Sequence, residues 1–142
     1  MRTTVIILAI ACIACTKPSN DIISESEYKE LLQQTILVLP DSSLTTEQIE
    51  LKIKLCDLLF QYTDIRNNCL KLHADKSKFE QEGIPNIYYD IIKYQLEETS
   101  IGIKMLLKEF PDKSMNIEED LKNCKEQYWD TERPNLIKRI AL

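Results

Sequence analysis

Glycine is nearly absent from this 142-residue chain. Only Gly83 and Gly102 occur, together with five prolines. All-β folds need frequent turn residues, so this scarcity argues against them. Leu, Ile, Lys, Glu and Gln dominate the long segments between prolines, and most of these residues form helices readily. The composition therefore predicts an all-α fold.

Histidine occurs once, as His73. This scarcity argues against most metal sites and most acid–base catalysis, and the sequence has no HExxH, phosphate-loop or nucleophile-elbow motif. Cys69 precedes His73 by four residues. This spacing is explained more simply by two residues on one helix face than by a nucleophilic dyad. Neighbouring acids such as Glu97 and Glu98 point to different sides of a helix, unlike the paired acids of glycosidases. We predict no enzyme, no metal and no cofactor.

Positive charge is also scarce. The chain has 18 Lys and Arg against 23 Asp and Glu, a formal net charge of −5. Nucleic acids and anionic membrane surfaces are bound through clustered basic side chains, so this balance argues against both as main partners. It favours a protein partner, and a cationic one in particular.

Long apolar runs are missing except for residues 5–15, which follow a start containing Arg2. Roughly ten apolar residues are too few to span a hydrocarbon core of about 30 Å as a helix. A basic start, an apolar core and Cys15 after the small residue Ala14 resemble the signal peptide of bacterial lipoproteins. In that class the cysteine becomes the lipid-bearing first residue. The resemblance implies lipidation at Cys15, with Cys12 as the rival site.

The same resemblance implies a division of the chain. Residues 1–14 form the signal peptide, 15–23 a flexible tether and 24–142 a single helical domain; loss of Arg2 takes the formal charge from −5 to −6. The protein is then lipid-anchored in the cell envelope, at an outer membrane for example, facing the periplasm or the cell exterior. The lipid is its only membrane contact. An ordinary cleaved secretory signal and an uncleaved short anchor are the alternatives.

Apolar residues repeat at intervals of three and four over four long segments, which predicts helices. The first runs over residues 25–39, and the second begins with a capping box at Thr45 and Gln48 and runs to about His73. The third covers residues 86–110, and the fourth begins near residue 116 and is closed by Pro134. We predict a four-helix up-and-down bundle with a short C-terminal helix.

Three cysteines follow the apolar run. Cys56 and Cys124 would lie at similar heights, about 12 to 15 Å along helices two and four, with Cys69 about 20 Å further along. If a disulfide forms, we predict that it joins Cys56 to Cys124. The alternative is three reduced, buried cysteines that act as small apolar residues.

Aromatic residues give the clearest surface signal. Tyr88 and Tyr89 diverge by about 100° around a helix, so they cannot both face one core stripe. With Trp129 and the neighbouring acid Asp90, they suit a protein-binding surface; half-buried flanks of the bundle are the alternative. We predict a small acidic envelope protein that acts by protein binding, as an immunity protein or an inhibitor of a secreted cell-wall-degrading toxin. The alternative is a structural or assembly adaptor of an envelope complex.

Overall fold

A computed structural model describes residues 22–141, except for the side chains of residues 113–116. The apolar run with Cys12 and Cys15 lies outside the described residues. The regular elements are six α-helices, a hairpin and a π turn: α1 Glu25–Leu32, α2 Thr46–Tyr62, β1 Thr63–Arg66, β2 Cys69–Leu72, α3 Lys76–Gln81, α4 Asn86–Glu109, α5 Ser114–Gln127, the π turn Tyr128–Glu132 and α6 Arg133–Ile140.

The start of α2 confirms the predicted capping box. The Thr45 hydroxyl accepts from the Gln48 backbone N–H at 3.2 Å, and Gln48 Oε1 accepts from the Thr45 N–H at 2.9 Å. Helix α1 ends at Leu32, earlier than expected. Thr35 explains this, because its backbone is extended and its hydroxyl caps a 3₁₀ turn over Ile36–Val38.

The predicted second helix is wrong beyond Tyr62. Residues 63–72 form an antiparallel hairpin, with Thr63 opposite Leu72. Asn67 and Asn68 have φ angles of +51° and +62°, the left-handed conformation that a two-residue hairpin turn requires at both positions. Asparagine tolerates it better than most residues, so this pair reverses the chain where we expected a helix to continue.

Helix α1 runs antiparallel to α4. Tyr28 stacks on Tyr94 with ring centroids 4.2 Å apart, and its hydroxyl accepts from Gln95 Nε2 at 3.1 Å. Further along the chain, the Ile36 N–H donates to the Tyr88 hydroxyl at 3.1 Å. Later residues of the N-terminal segment contact earlier residues of α4, so the two segments run antiparallel.

The core is built largely from apolar residues of α2 and α4. The hairpin, α1 and α3 pack on α4, whereas α6 packs on α2. Ile91 and Ile92 of α4 and Leu55 of α2 are fully buried. The described part of the chain is mostly helical with one small sheet, so the largely all-α prediction is confirmed; the up-and-down bundle stays a prediction. No helix within residues 22–141 is both long and apolar enough to cross a membrane.

Candidate functional site

A π turn interrupts the C-terminal helices at Tyr128–Glu132. The Arg133 N–H donates to the Tyr128 carbonyl, five residues back. Pro134 follows at once; it lacks an N–H, and its ring would clash with the carbonyl four residues earlier in a regular α-helix. The wider winding accommodates that proline, so the helix continues where we expected Pro134 to end it. Such turns occur frequently at functional sites.

The turn points Tyr128 into the core. Its ring is fully buried and stacks on Phe60 at 4.8 Å. Its hydroxyl donates to Asp57 Oδ1 on α2 at 2.6 Å. Burial above all, with the hydrogen bond to the Asp57 carboxylate and its negative charge, raises the pKa of Tyr128. The hydroxyl therefore stays protonated and acts as a donor.

Arg133 binds the same carboxylate. Its Nε donates to Asp57 Oδ1 at 2.8 Å and its Nη2 to Oδ2 at 3.1 Å. This two-pronged geometry is the strongest arrangement of an arginine with a carboxylate. The hydrogen bond to Asp57 raises the pKa of Arg133. One carboxylate thus fixes the positions of both the tyrosine and the guanidinium group.

Trp129 lies on the outer side of this network. It meets Tyr128 edge-on at 5.1 Å, and the Arg133 guanidinium carbon lies 5.8 Å from its ring centroid. Even so, 38% of the residue is exposed. One helical turn beyond Arg133, Ile137 is also exposed. We call Trp129, Arg133 and Ile137 the tryptophan–arginine surface.

A second polar cluster joins α2, the segment before it and α6. The ammonium group of Lys52 pairs with Asp41 in the interior, and Arg139 donates to the Asp41 carbonyl. Burial alone would raise the pKa of Asp41, but the hydrogen bond and charge of Lys52 lower it overall. Nearby, a groove of about 310 Å³ is lined by Asp41, Ser42, Glu132, Asn135, Leu136 and Arg139. The Lys52–Asp41 ion pair links α2 to the segment that precedes it.

Two of the predicted binding residues lie together, and Tyr88 requires a correction. Tyr88 is 3% exposed and accepts a backbone hydrogen bond, so it belongs to the core and presents no binding surface. Tyr89 is half-buried against Phe79, with the Lys76 ammonium 5.7 Å from its ring centroid. The same ammonium lies 3.2 Å from Asp90 Oδ1. Tyr89 and Asp90 therefore share Lys76.

Trp129 has different neighbours from those of Tyr89 and Asp90. Its ring contacts are made by Tyr128 and Arg133 of the C-terminal helices. The sequence prediction treated all of these residues as one surface. The structure gives them two separate sets of contacts, and Trp129 is exposed whereas Tyr89 and Asp90 are half-buried.

Cys56, Cys69 and Cys124 are free thiols in the structure. Burial raises the pKa of Cys56 to about 12 and also raises that of Cys124. A thiol with so high a pKa is not a nucleophile at neutral pH. The bridge from Cys56 to Cys124 stays a prediction for the oxidised protein.

His73 lies just after the hairpin rather than on a helix. Its Nε2 is 2.8 Å from Asp64 Oδ1 on β1. Within residues 22–141, no group of three or more His, Cys, Asp or Glu side chains could hold a metal ion. His73 therefore makes a hydrogen bond to the hairpin at the protein surface.

The sequence missed the residues that support Trp129. Asp57 and Arg133 are 76 positions apart, so no local motif connects them. The available signal was Pro134 directly after Arg133 in an otherwise helical stretch. Comparison of the chain with protein-family models, with curated proteins and with solved structures finds no match.

Proposed function

We propose that this protein acts by binding another protein, and that the tryptophan–arginine surface is the centre of the contact. One observation supports this above the others. The only tryptophan of the chain is 38% exposed although its ring is held between Tyr128 and Arg133. Tryptophan and arginine are the residues most enriched at the energetic centres of protein interfaces.

The rigidity of this surface favours tight binding. Ordering one flexible side chain on association costs about 0.5 to 1.5 kcal/mol. Here the guanidinium group is already held by two hydrogen bonds to Asp57, and the indole ring already rests on Tyr128. Little of that cost remains when a partner docks.

The charge of the protein suggests the class of partner. The chain carries −5 overall, and the exposed acid Asp130 directly follows Trp129. A cationic protein would be attracted to a chain of this net charge and would associate with it faster at low salt. A secreted cell-wall-degrading toxin fits, with this protein as its immunity protein or inhibitor.

The cellular setting is part of the proposal. We infer that the protein is lipid-anchored at Cys15 in the cell envelope and faces the periplasm or the exterior. The resemblance of residues 1–15 to a lipoprotein signal supports this. We also retain the up-and-down bundle, which the antiparallel packing of α1 on α4 supports. A structural or assembly adaptor of an envelope complex is the alternative function.

A photo-crosslinking amino acid at Ile137 tests the surface. We expect a covalent adduct with a specific envelope or secreted protein, identified by mass spectrometry, and none from the exposed control position Glu47. Trp129→Ala in the same background should reduce the yield of that adduct about thirtyfold, because loss of a residue at a binding centre costs about 2 kcal/mol.

Phe110→Ala is the matched control for this experiment, since Phe110 is another exposed aromatic residue, 47% accessible, on a different part of the chain. It should leave the adduct unchanged. Equal crosslinking by the Trp129→Ala protein would contradict the proposal. If the captured protein is a cell-wall hydrolase and its activity falls on binding, the inhibitor role is supported; a stable envelope complex without inhibition favours the adaptor.

A further inference from the structure

The two edges of the hairpin differ in how they are covered. The outer edge of β2 packs on α4, where the Leu70 N–H donates to the Ser100 hydroxyl at 2.9 Å in a buried contact. β1 makes its main contacts with β2, along its inner edge. Among the described residues, none forms a hydrogen bond with the outward N–H and C=O of Ile65. Within residues 22–141, one edge of the sheet is therefore open.

The alternation of hydrogen-bonded and non-bonded pairs along the ladder determines which backbone groups of β1 face outward. The His73 N–H donates to the Tyr62 carbonyl at 2.7 Å. Bonded and non-bonded pairs alternate along an antiparallel ladder, so Asp64 bonds Lys71 and Arg66 bonds Cys69 in the observed register. The backbone groups of Ile65, which lies between these pairs, point away from β2.

We propose that the open edge of β1 pairs with the same edge of a second copy of this chain, in an antiparallel four-stranded sheet with a twofold axis at Ile65. Ile65 of each copy would exchange two backbone hydrogen bonds with Ile65 of the other. Such addition of a strand to an exposed edge is a recurrent mode of association.

The side chains that flank Ile65 select this register. Arg66 is exposed and Asp64 is half-buried on the same face of the hairpin, and within one chain their charged groups lie 3.4 Å apart. Pairing centred on Ile65 puts Asp64 opposite Arg66 of the second copy, twice, at closely spaced non-bonded positions. Opposite charges directly across a ladder stabilise it, and like charges destabilise it.

Neighbouring registers lack this complementarity. Because only alternate residues face outward, the next allowed shifts move the pairing by two residues. One shift puts Asp64 opposite Asp64 of the second copy, and the other puts Arg66 opposite Arg66. The charges on this edge therefore favour one symmetric pairing and oppose the others.

The contact is expected to be weak. A four-residue edge buries much less than the roughly 1,200 Å² of a typical specific interface. The protein should be monomeric when dilute and should dimerise only near millimolar concentration. Sedimentation equilibrium of the full chain from about 10 μM to about 1 mM covers that range.

Charge reversal provides the test. Arg66→Asp puts like charges across the pairing, so the dissociation constant should rise at least tenfold. Asp64→Arg should do the same, although it also removes the bond to His73. The double variant D64R/R66D recreates opposite pairs and should return the dissociation constant to within about threefold of the original. A wild-type protein that stays monomeric throughout, or a double variant that does not recover, overturns the proposal.

Amide exchange at single residues gives an independent measurement. The Ile65 N–H should exchange more slowly as the protein concentration rises, because it becomes bonded only in the dimer. The Leu70 N–H, already bonded to Ser100, is the matched control and should keep the same rate. Exchange at Ile65 that does not depend on concentration would contradict pairing through this edge.

Discussion

Two buried tyrosines hold the two ends of the described chain by opposite chemistry. Tyr88 on α4 accepts a hydrogen bond from the backbone N–H of Ile36. Tyr128 in the π turn donates a hydrogen bond to the Asp57 carboxylate. Burial raises the pKa of both hydroxyl groups, so both stay protonated. The same side chain acts as an acceptor at one end and as a donor at the other.

The regions around these tyrosines differ in charge. In the N-terminal seam, where residues 25–38 pack on α4, the buried contacts are neutral: Tyr28 stacks on Tyr94 and bonds Gln95. In the C-terminal seam, where the π turn and α6 pack on α2, Asp57 binds Arg133 and Asp41 binds Lys52. Charged groups hold side chains at fixed positions near the surface, as the tryptophan–arginine surface requires. The lowered pKa of Asp41 makes this seam sensitive to pH.

The largest effect should come from Asp41→Asn in the C-terminal seam. The variant leaves the Lys52 ammonium buried without its counter-charge, and such a change costs about 3 kcal/mol. We expect that loss in the free energy of unfolding at pH 7, measured by urea denaturation. The exposed control Glu50→Gln, on the same helix as Lys52, should change it by less than about 0.5 kcal/mol.

The effect of Asp41→Asn should also depend on pH. The pKa of Asp41 is lowered in the folded protein, below its unfolded value of about 3.9. Its contribution is therefore present above about pH 4 and is lost as the pH falls through the folded pKa. The difference between wild type and variant should shrink on acidification. A constant difference down to pH 2 would show that Lys52 is not held by the Asp41 charge.

Tyr88→Phe should have the next largest effect and tests the neutral seam. It leaves the Ile36 N–H, at a residue only 8% exposed, without an acceptor, which costs about 2 kcal/mol. No titrating group is involved, so the loss should be the same at pH 5 and pH 8. Phe is matched to Tyr in shape, and unchanged stability would mean that the Ile36 N–H finds another acceptor.

Local features were predictable where the contacts are local. Thr45 and Gln48 are three residues apart and cap α2 as expected. The hairpin was missed because Ile65, Cys69 and Leu72 are spaced like one face of a helix. Ile65 lies between two polar residues, so it also fits the alternation of polar and apolar residues in a strand. Only the backbone conformation of the two asparagines decides between these, and spacing alone does not reveal it.

The candidate site was predictable only in part. Trp129 was identified from its residue type, and it is exposed. Tyr88 was assigned to the same surface, but its hydroxyl meets Ile36, 52 residues away. The support of Trp129 by Asp57 likewise depends on how α2 meets the π turn. Long-range packing of this kind leaves no periodic trace in a single sequence.

Tyr128→Phe should have the smallest effect of the three and gives the sharpest comparison with Tyr88→Phe. The charge of Asp57 alone would predict a larger loss of stability, because a hydrogen bond to a charged group contributes about 1.5 to 3 kcal/mol. However, the Asp57 side chain is 27% exposed and keeps Arg133, so its carboxylate can reach water after the hydroxyl is removed. We therefore expect a cost of about 1 kcal/mol.

The emission of the single tryptophan reports whether Tyr128→Phe leaves the site intact. The substituted phenylalanine ring would keep the stacking on Phe60 and the edge contact with Trp129, so the emission maximum should not move. If instead Tyr128→Phe costs more than Tyr88→Phe and shifts the emission to the red, then the hydroxyl positions Asp57 for Arg133. The charged seam would then depend on its tyrosine as strictly as the neutral seam does.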